Sequence, residues 1–147
     1  MADSQSLRLL SAAAKFHHQL TEYVAEQLYS AGFEGVSPSM LHFLSVLDGG
    51  VSYGAEISRQ LQVSRQMVAK TIKELCQAGY LEQGDGIGRQ KQILLTDKGE
   101  RLMAMARSIL ADLDRGFTDR CGEVQIEEMT TQLEMLKETF SIGQERG

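Results

Sequence analysis

Six side chains in the segment 64–73 have the types and the spacing to read a nucleic-acid duplex. Ser64, Arg65, Gln66, Ala69, Lys70 and Lys73 recur at offsets that a helix, turning about 100° per residue, sets apart from Val68, Ile72 and Leu75. The outer face so formed, which Gln77 extends, has three cations, two amides and no carboxylate; Glu74 lies on its flank. Arginine can bond guanine bidentately and glutamine can bond adenine, while lysine and serine also suit phosphate oxygens. Ala69 lets a backbone approach closely. A solvated face of an ordinary helix can show the same residue types, so the reading depends on what flanks this segment.

The flanks supply a frame. A short helix ends at Leu61, a tight turn follows at Gln62-Val63, and Ser64 is placed to cap a second helix that closes near Ala78-Gly79. A strand-sized run, Tyr80-Leu81-Glu82, leads to the glycine-rich tip Gly84-Asp85-Gly86-Ile87-Gly88. Arg89, Gln90 and Lys91 come next, then a returning strand Gln92-Ile93-Leu94-Leu95 and a new helix start at Thr96. Helix, turn, helix and hairpin make a winged helix-turn-helix, a device for reading duplex DNA. Glycines at the tip can take positive φ, and a cation there can enter the narrow minor groove. These glycines do not form a phosphate loop: G-x-x-x-x-G-K-[ST] is absent and the hairpin opens no helix in Rossmann fashion.

With these residues in view, the stretch resembles the MarR family of bacterial transcription regulators. The matching features are Ile57 to Leu61 as first helix of the motif, VSRQMVAKTIKELCQAGYLE as recognition helix plus first wing strand, and LLTDKG as the wing exit. The resemblance implies a mainly α fold with a small β-hairpin, a winged helix-turn-helix with N- and C-terminal dimerisation helices. It implies repression by a homodimer occupying an operator, relieved when a small ligand fixes the two reading heads at the wrong spacing. The family usually places an Asp two residues before the wing arginine. Here Ile87 holds that place and Arg89 keeps the arginine, so Asp85 could partner Arg89 only by a different loop path.

The 147 residues suit one compact domain or a domain with appended helices, and a 42% hydrophobic share allows a real core. A net charge of −5 would argue against a nucleic-acid partner were it evenly spread. It is not: positions 58–101 hold eight cations against five acids, a net of +3, and the remainder is −8. A basic head on an acidic body focuses binding on one surface and discourages coating of DNA elsewhere. Cys76 and Cys121 belong to no C-x-x-C pair, which excludes a zinc ribbon. No signal-peptide pattern opens the chain and no apolar run is long enough to span a bilayer, so a cytoplasmic, reduced protein without a membrane partner is expected.

Around the reading head, one proline in the whole chain and abundant Leu, Ala, Met, Glu and Gln favour helices. A long helix is expected over 6–30, with a broad apolar arc of Leu9, Leu10, Ala13, Phe16, His17, Leu20, Tyr23, Val24 and Leu28. Ser37-Pro38 should cap and open a second helix to Leu47, burying Leu41, Leu44, Met40 and Leu47. After the wing, a helix with the stripe Leu102, Ala106, Ile109 and Leu113 is expected to break at Gly116 and again at Cys121-Gly122. The last helix carries Ile126, Met129, Leu133, Leu136 and Phe140 at spacings of 3, 4, 3 and 4, a short heptad seam. The expected organisation is a dimerisation helix in 1–36, the DNA-binding domain in 37–99, and dimerisation helices in 100–147. A two-fold dimer has its own physical reason, because it doubles the few base contacts of one small head on a pseudo-palindrome.

Other chemistry is weaker. His17 and His18 are adjacent and project about 100° apart, which suits one metal ion poorly. The His-x-x-x-His pair of a zinc-sensing branch of the family is absent from 103–107. No metal and no cofactor are expected. The resemblance implies instead a small aromatic or phenolic effector bound between dimer platform and reading head, with Phe16, His17, Tyr23, Met40 and Phe43 as candidate lining; ordinary packing would account for the same residues. Cys76 reads as a buried structural thiol and Cys121 as a surface thiol; some family members sense peroxide through a first-helix cysteine, and this first helix has none. Ser64, Asp85 and His42 fit no catalytic motif, and Asp112, Asp114 and Asp119 show no Ca²⁺-loop pattern, so no enzyme is expected and no catalytic residue is assigned. The competing class is a winged helix used as a protein-interaction module without DNA binding; a basic, amide-rich face favours DNA.

The wing composition generates a test. Arg89→Ala should lower operator affinity, most where A·T-rich flanks narrow the minor groove. Ile87→Asp should tighten binding modestly by pre-ordering the guanidinium. Asp85→Ala should weaken binding if Asp85 holds Arg89, and strengthen it if Asp85 merely repels phosphate. Affinities of the three variants at fixed salt separate these outcomes.

Overall fold

The computed structural model describes residues 4–86, 88 and 90–145, with side chains as far as Ser141. Two residues of the expected wing, Ile87 and Arg89, lie outside the described residues. The element order is α1 (Gln5–Ser30), α2 (Met40–Asp48), α3 (Gly54–Leu61), α4 (Arg65–Gln77), β1 (Leu81–Gly84), β2 (Gln92–Leu95), α5 (Asp97–Cys121) and α6 (Glu123–Glu145). The fold is thus mainly helical with one two-stranded antiparallel sheet. The chain divides into two units, Met1–Ile109 and Leu110–Gly147, and α5 crosses the boundary.

In the first unit the core gathers where periodicity points. Phe43, Leu44 and Leu47 from α2, Ile57 from α3, and Val68, Ile72 and Leu75 from α4 are buried, joined by Tyr80, Leu81, Ile93, Leu102 and Met103. In the hairpin Leu81 pairs with Leu95 and Gln83 with Ile93, so both pairs share the core-facing side. Glu82 and Leu94, paired on the opposite side, are exposed. The backbone N–H of Ile93 also donates to the Ser52 carbonyl at 2.8 Å, tying the wing to the segment that leads into α3.

Several local expectations shift. The second helix begins at Met40, not Pro38: Ser37 and Pro38 form a turn in which the Ser37 hydroxyl pairs with that of Ser39 at 3.0 Å and caps no backbone N–H. The first wing strand starts one residue later and runs on to Gly84, because Tyr80 is drawn into the core at the end of α4. Gly116 does not break α5, which continues to Cys121. One glycine costs a helix interior about 1 kcal/mol, too little to end it among good helix formers. The stop at Cys121 is real: Gly122 takes φ 93° and its N–H bonds the Thr118 carbonyl at 2.8 Å.

The apolar arc of α1 is buried only near its C-terminal end, at Val24, Ala25 and Leu28; Leu9, Leu10, Phe16 and Tyr23 are exposed. Within the second unit the α6 seam is likewise uncovered, with Met129, Leu133, Leu136 and Phe140 all exposed. Between α2 and α5, Arg107 meets Asp48 at 2.6 Å. Both partners are substantially exposed, so this pair contributes at most about 1 kcal/mol.

Two glycines of α5 give opposite predictions. A Cβ at Gly99 would collide with the Tyr80 carbonyl oxygen and press on Leu95, so Gly99→Ala should lower stability by about 1–3 kcal/mol or more. A Cβ at Gly116 meets nothing within 4 Å, so Gly116→Ala should raise stability by up to about 1 kcal/mol. Urea unfolding of the two variants checks both signs.

Candidate nucleic-acid interface

The turn before α4 is built to place its first residues. Gln62 takes a left-handed conformation, φ 55°, which lets the chain reverse direction at the end of α3. Ser58, buried on α3, donates from its hydroxyl to the Val63 carbonyl at 2.6 Å, while the Val63 N–H returns to the Ser58 carbonyl at 3.2 Å. Ser64 then caps α4, its hydroxyl accepting from the Met67 N–H at 3.0 Å. With Val68, Ile72 and Leu75 buried, α4 holds a single rotation about its axis.

That rotation exposes Arg65, Gln66, Ala69, Lys70, Lys73 and Gln77. Lys70 comes within 4.0 Å of Glu74, a loose exposed pair that leaves its ammonium free to meet phosphate. Arg65 and Ala69, on the flank toward the hairpin, line a concavity of about 380 Å³ with Gln83, Gln90 and Lys91 on its rim and Val68, Ile72 and Ile93 at its base. The structure therefore brings Arg65, Ala69, Gln90 and Lys91 around one hollow and sets Gln66, Lys70 and Lys73 on the adjoining outward face. Arg89 lies outside the described residues. Gly86 is held close: a Cβ there would collide with the Gln90 carbonyl and the Tyr53 ring, so glycine is required for this path of the tip.

The far end of α4 is fixed by the wing exit. Gly79, at φ 88°, ends the helix; its N–H bonds the Cys76 carbonyl, and the Tyr80 N–H bonds the Leu75 carbonyl, both at 3.0 Å. This is a Schellman cap. The next carbonyls, of Ala78 and Gly79, are met by the Thr96-Asp97-Lys98-Gly99 run. Thr96 donates its hydroxyl to the Gly79 carbonyl at 2.6 Å and accepts from the Gly99 N–H at 3.1 Å. Lys98 donates to the Ala78 carbonyl at 2.7 Å with its ammonium 4.6 Å from the centre of the Tyr80 ring. Tyr80 itself donates to the Glu34 carbonyl at 2.5 Å, and burial together with nearby Glu34 raises the phenol above its ordinary pKa.

The remaining candidates are dispersed. Met40 and Phe43 are closed into the core, whereas Phe16, His17 and Tyr23 are exposed on α1. His18 and His42 are exposed. No group of three His, Cys, Asp or Glu side chains able to hold a metal occurs among the described residues. Cys76 is half-buried, less enclosed than periodicity suggests, and burial raises its thiol pKa, which disfavours the reactive thiolate. Cys121 is exposed. Sequence reasoning passed over Tyr80 and Lys98, whose roles are long-range hydrogen bonds, Ser58, whose bond to Val63 closes the turn, and Met67, which its residue type assigned to no face.

No family model matches the chain. A stretch of 85 residues is 26% identical to the HTH-type transcriptional regulator BilQ of Clostridioides difficile (strain CD3). That match takes in 56% of this chain and 57% of the relative, so little more than half of the relative's length is spanned. Likeness to solved structures is more extensive. A MarR transcriptional regulator from Methanosarcina mazei Go1 aligns with a TM-score of 0.71 at 20% identity, over 89% of this chain and 88% of that one. Streptococcus pneumoniae FabT, solved in complex with DNA, aligns with a TM-score of 0.76 at 18% identity, over 93% and 98%. The chain has the MarR fold. In that fold α3, α4 and the β1–β2 hairpin are the winged helix-turn-helix, and α1, α5 and α6 are the terminal helices. The Schellman cap, Lys98 and Gly99 give the MarR-like exit sequence its physical reason in this chain.

Proposed function

We propose that this protein is a transcription regulator that binds double-stranded DNA sequence-specifically, as a homodimer on a pseudo-palindromic operator. The observation that carries the reading is the exposed face of α4, with Arg65, Gln66, Lys70 and Lys73 presented by a capped and rotationally fixed helix. At about 1.5 Å per residue the thirteen residues of α4 are long enough to lie in a major groove. Arg65 and Gln66, in the first turn, are placed to meet base edges; Ser64, Lys70 and Lys73 are placed to anchor phosphate. Gln90 and Lys91, beside Ala69, form the wing's contribution, and Arg89 is assigned to it from the sequence alone. That S. pneumoniae FabT, which shares the fold, was solved in complex with DNA supports a DNA partner here.

The terminal helices are the dimer platform in this reading, from segments 1–36 and 100–147. Leu9, Leu10, Phe16 and Tyr23 on α1, and Met129, Leu133, Leu136 and Phe140 on α6, leave large apolar side chains in solvent in the single chain. Exposed apolar surface on that scale marks an association surface. The regulator acts as a repressor whose DNA affinity falls when a small aromatic or phenolic effector binds near the platform. Phe16, His17 and Tyr23 offer surface to such a ligand, while Met40 and Phe43 become available only if α2 moves.

A gel shift of the purified protein against a genomic fragment library, followed by sequencing of bound fragments, tests the reading and yields the operator. Absence of any retained fragment favours the protein-interaction alternative. Two variants check the reading face. Gln66→Ala should relax base preference at one position per half-site, by about 1–3 kcal/mol; Lys73→Ala should weaken all sequences alike and reduce the salt slope by about 1 per half-site. Unchanged binding by both variants, with unfolding curves like wild type, counts against this face.

Assembly has its own check. Leu133→Asp places a charge in the proposed interface, where an unpaired carboxylate costs several kcal/mol, and sedimentation should show monomers. A wild-type protein that stays monomeric at micromolar concentration overturns the dimer.

A further inference from the structure

Within the reading head, one exposed side chain is out of character with its surroundings. Met67 stands in the first turn of α4, between Gln66 and Val68, and is 57% exposed. Its N–H is the one that Ser64 caps, so its backbone is fixed at the end of the helix where recognition helices meet base edges. At 100° per residue Met67 lies about 60° around the helix from Lys70 and 100° from Gln66, on the flank opposite the Arg65 and Ala69 flank that lines the hollow beside the hairpin. The neighbouring Thr71 donates its hydroxyl to the Met67 carbonyl at 3.1 Å, and Glu74, the carboxylate on that flank, stands two helical turns further along.

We infer that Met67 reads a thymine through its C5-methyl group, and so adds an apolar determinant of sequence to the polar ones on α4. The inference rests on the proposed DNA-reading function of the same helix. In the major groove the only apolar group a base pair offers is the thymine methyl, which projects near the wall of the groove. A side chain on the flank of the helix meets that wall, whereas Gln66, nearer the middle of the exposed face, meets the floor. The thioether is unbranched and adapts to an irregular apolar surface, and removing an exposed methionine tip and a methyl group from water together is favourable. Glutamine and arginine nearby discriminate adenine and guanine by hydrogen bonds; neither touches the methyl that separates thymine from uracil. Met67 supplies that missing discrimination.

The experiment uses the full-length protein and an operator recovered by fragment selection, with each thymine of the half-sites replaced in turn by deoxyuridine, which removes only the methyl. Wild-type protein should lose about fourfold in affinity per half-site at one thymine position. Met67→Ala should bind the unmodified operator more weakly by a similar factor and be indifferent, within twofold, to deoxyuridine at that position. Met67→Leu, which keeps an apolar tip, should retain the sensitivity. Uniform indifference of the wild-type protein to all replacements, or equal sensitivity of Met67→Ala, overturns the inference while leaving DNA binding intact. Failure of the wild-type protein to bind any fragment overturns the proposed function and this inference with it.

Discussion

The reading head depends on how the carbonyl end of α4 is closed. A helix terminus leaves several carbonyl groups without partners, and in a half-buried position each must be met. Here the backbone turns through Gly79 and the Thr96-to-Gly99 run closes over it, with a hydroxyl on Gly79 and an ammonium on Ala78. The same contact brings the start of α5 against the Tyr80 backbone so closely that only glycine fits at position 99. One interaction therefore sets three things: where the recognition helix ends, where the wing returns, and where the long α5 begins.

From that closure the constraint passes in two directions. Through Tyr80, whose hydroxyl bonds the Glu34 carbonyl, the end of α4 is tied to the loop after α1. Gly35 in that loop lies against Ala78, close enough that a Cβ would stand 3.3 Å from the alanine methyl. Through β2, which returns from the wing into Thr96, the closure is tied to the hairpin and on to Ser52. At the opposite end of α4, Ser58 and Ser64 settle the turn with two side-chain hydrogen bonds. The helix is held at both ends and along its buried face, and its remaining face is left to solvent.

Charge and apolar surface are segregated along the chain. The head carries a net +3 within an overall −5, so its field differs in sign from that of the remainder. The terminal helices, acidic overall, carry most of the large exposed apolar side chains, Met67 and Leu94 being those of the head. Electrostatic steering belongs to one region of sequence and apolar association to others, and neither surface needs to serve both ends.

Much of this was legible in the residues. Val68, Ile72 and Leu75 settle the rotation of α4 by period alone, and Ser64 marks its start, because both effects act within one or two helical turns. The hairpin strand 92–95 and the helix start after Thr96 were readable for the same local reason. What periodicity could not settle is where a local preference meets a neighbour. Gly116 looks like a break yet sits inside α5, since nothing nearby competes with the helix, while Gly99 looks ordinary and is required by the Tyr80 carbonyl. Phe16, Tyr23, Met40 and Phe43 all read as candidate pocket lining, yet in the single chain Met40 and Phe43 are core and Phe16 and Tyr23 are exposed. The sequence by itself determined which faces are apolar and which basic, because side-chain type and helical period are properties of the chain. Tertiary structure alone decided which apolar faces are covered and which carbonyls Lys98 and Tyr80 serve, because those outcomes depend on groups brought together from distant positions.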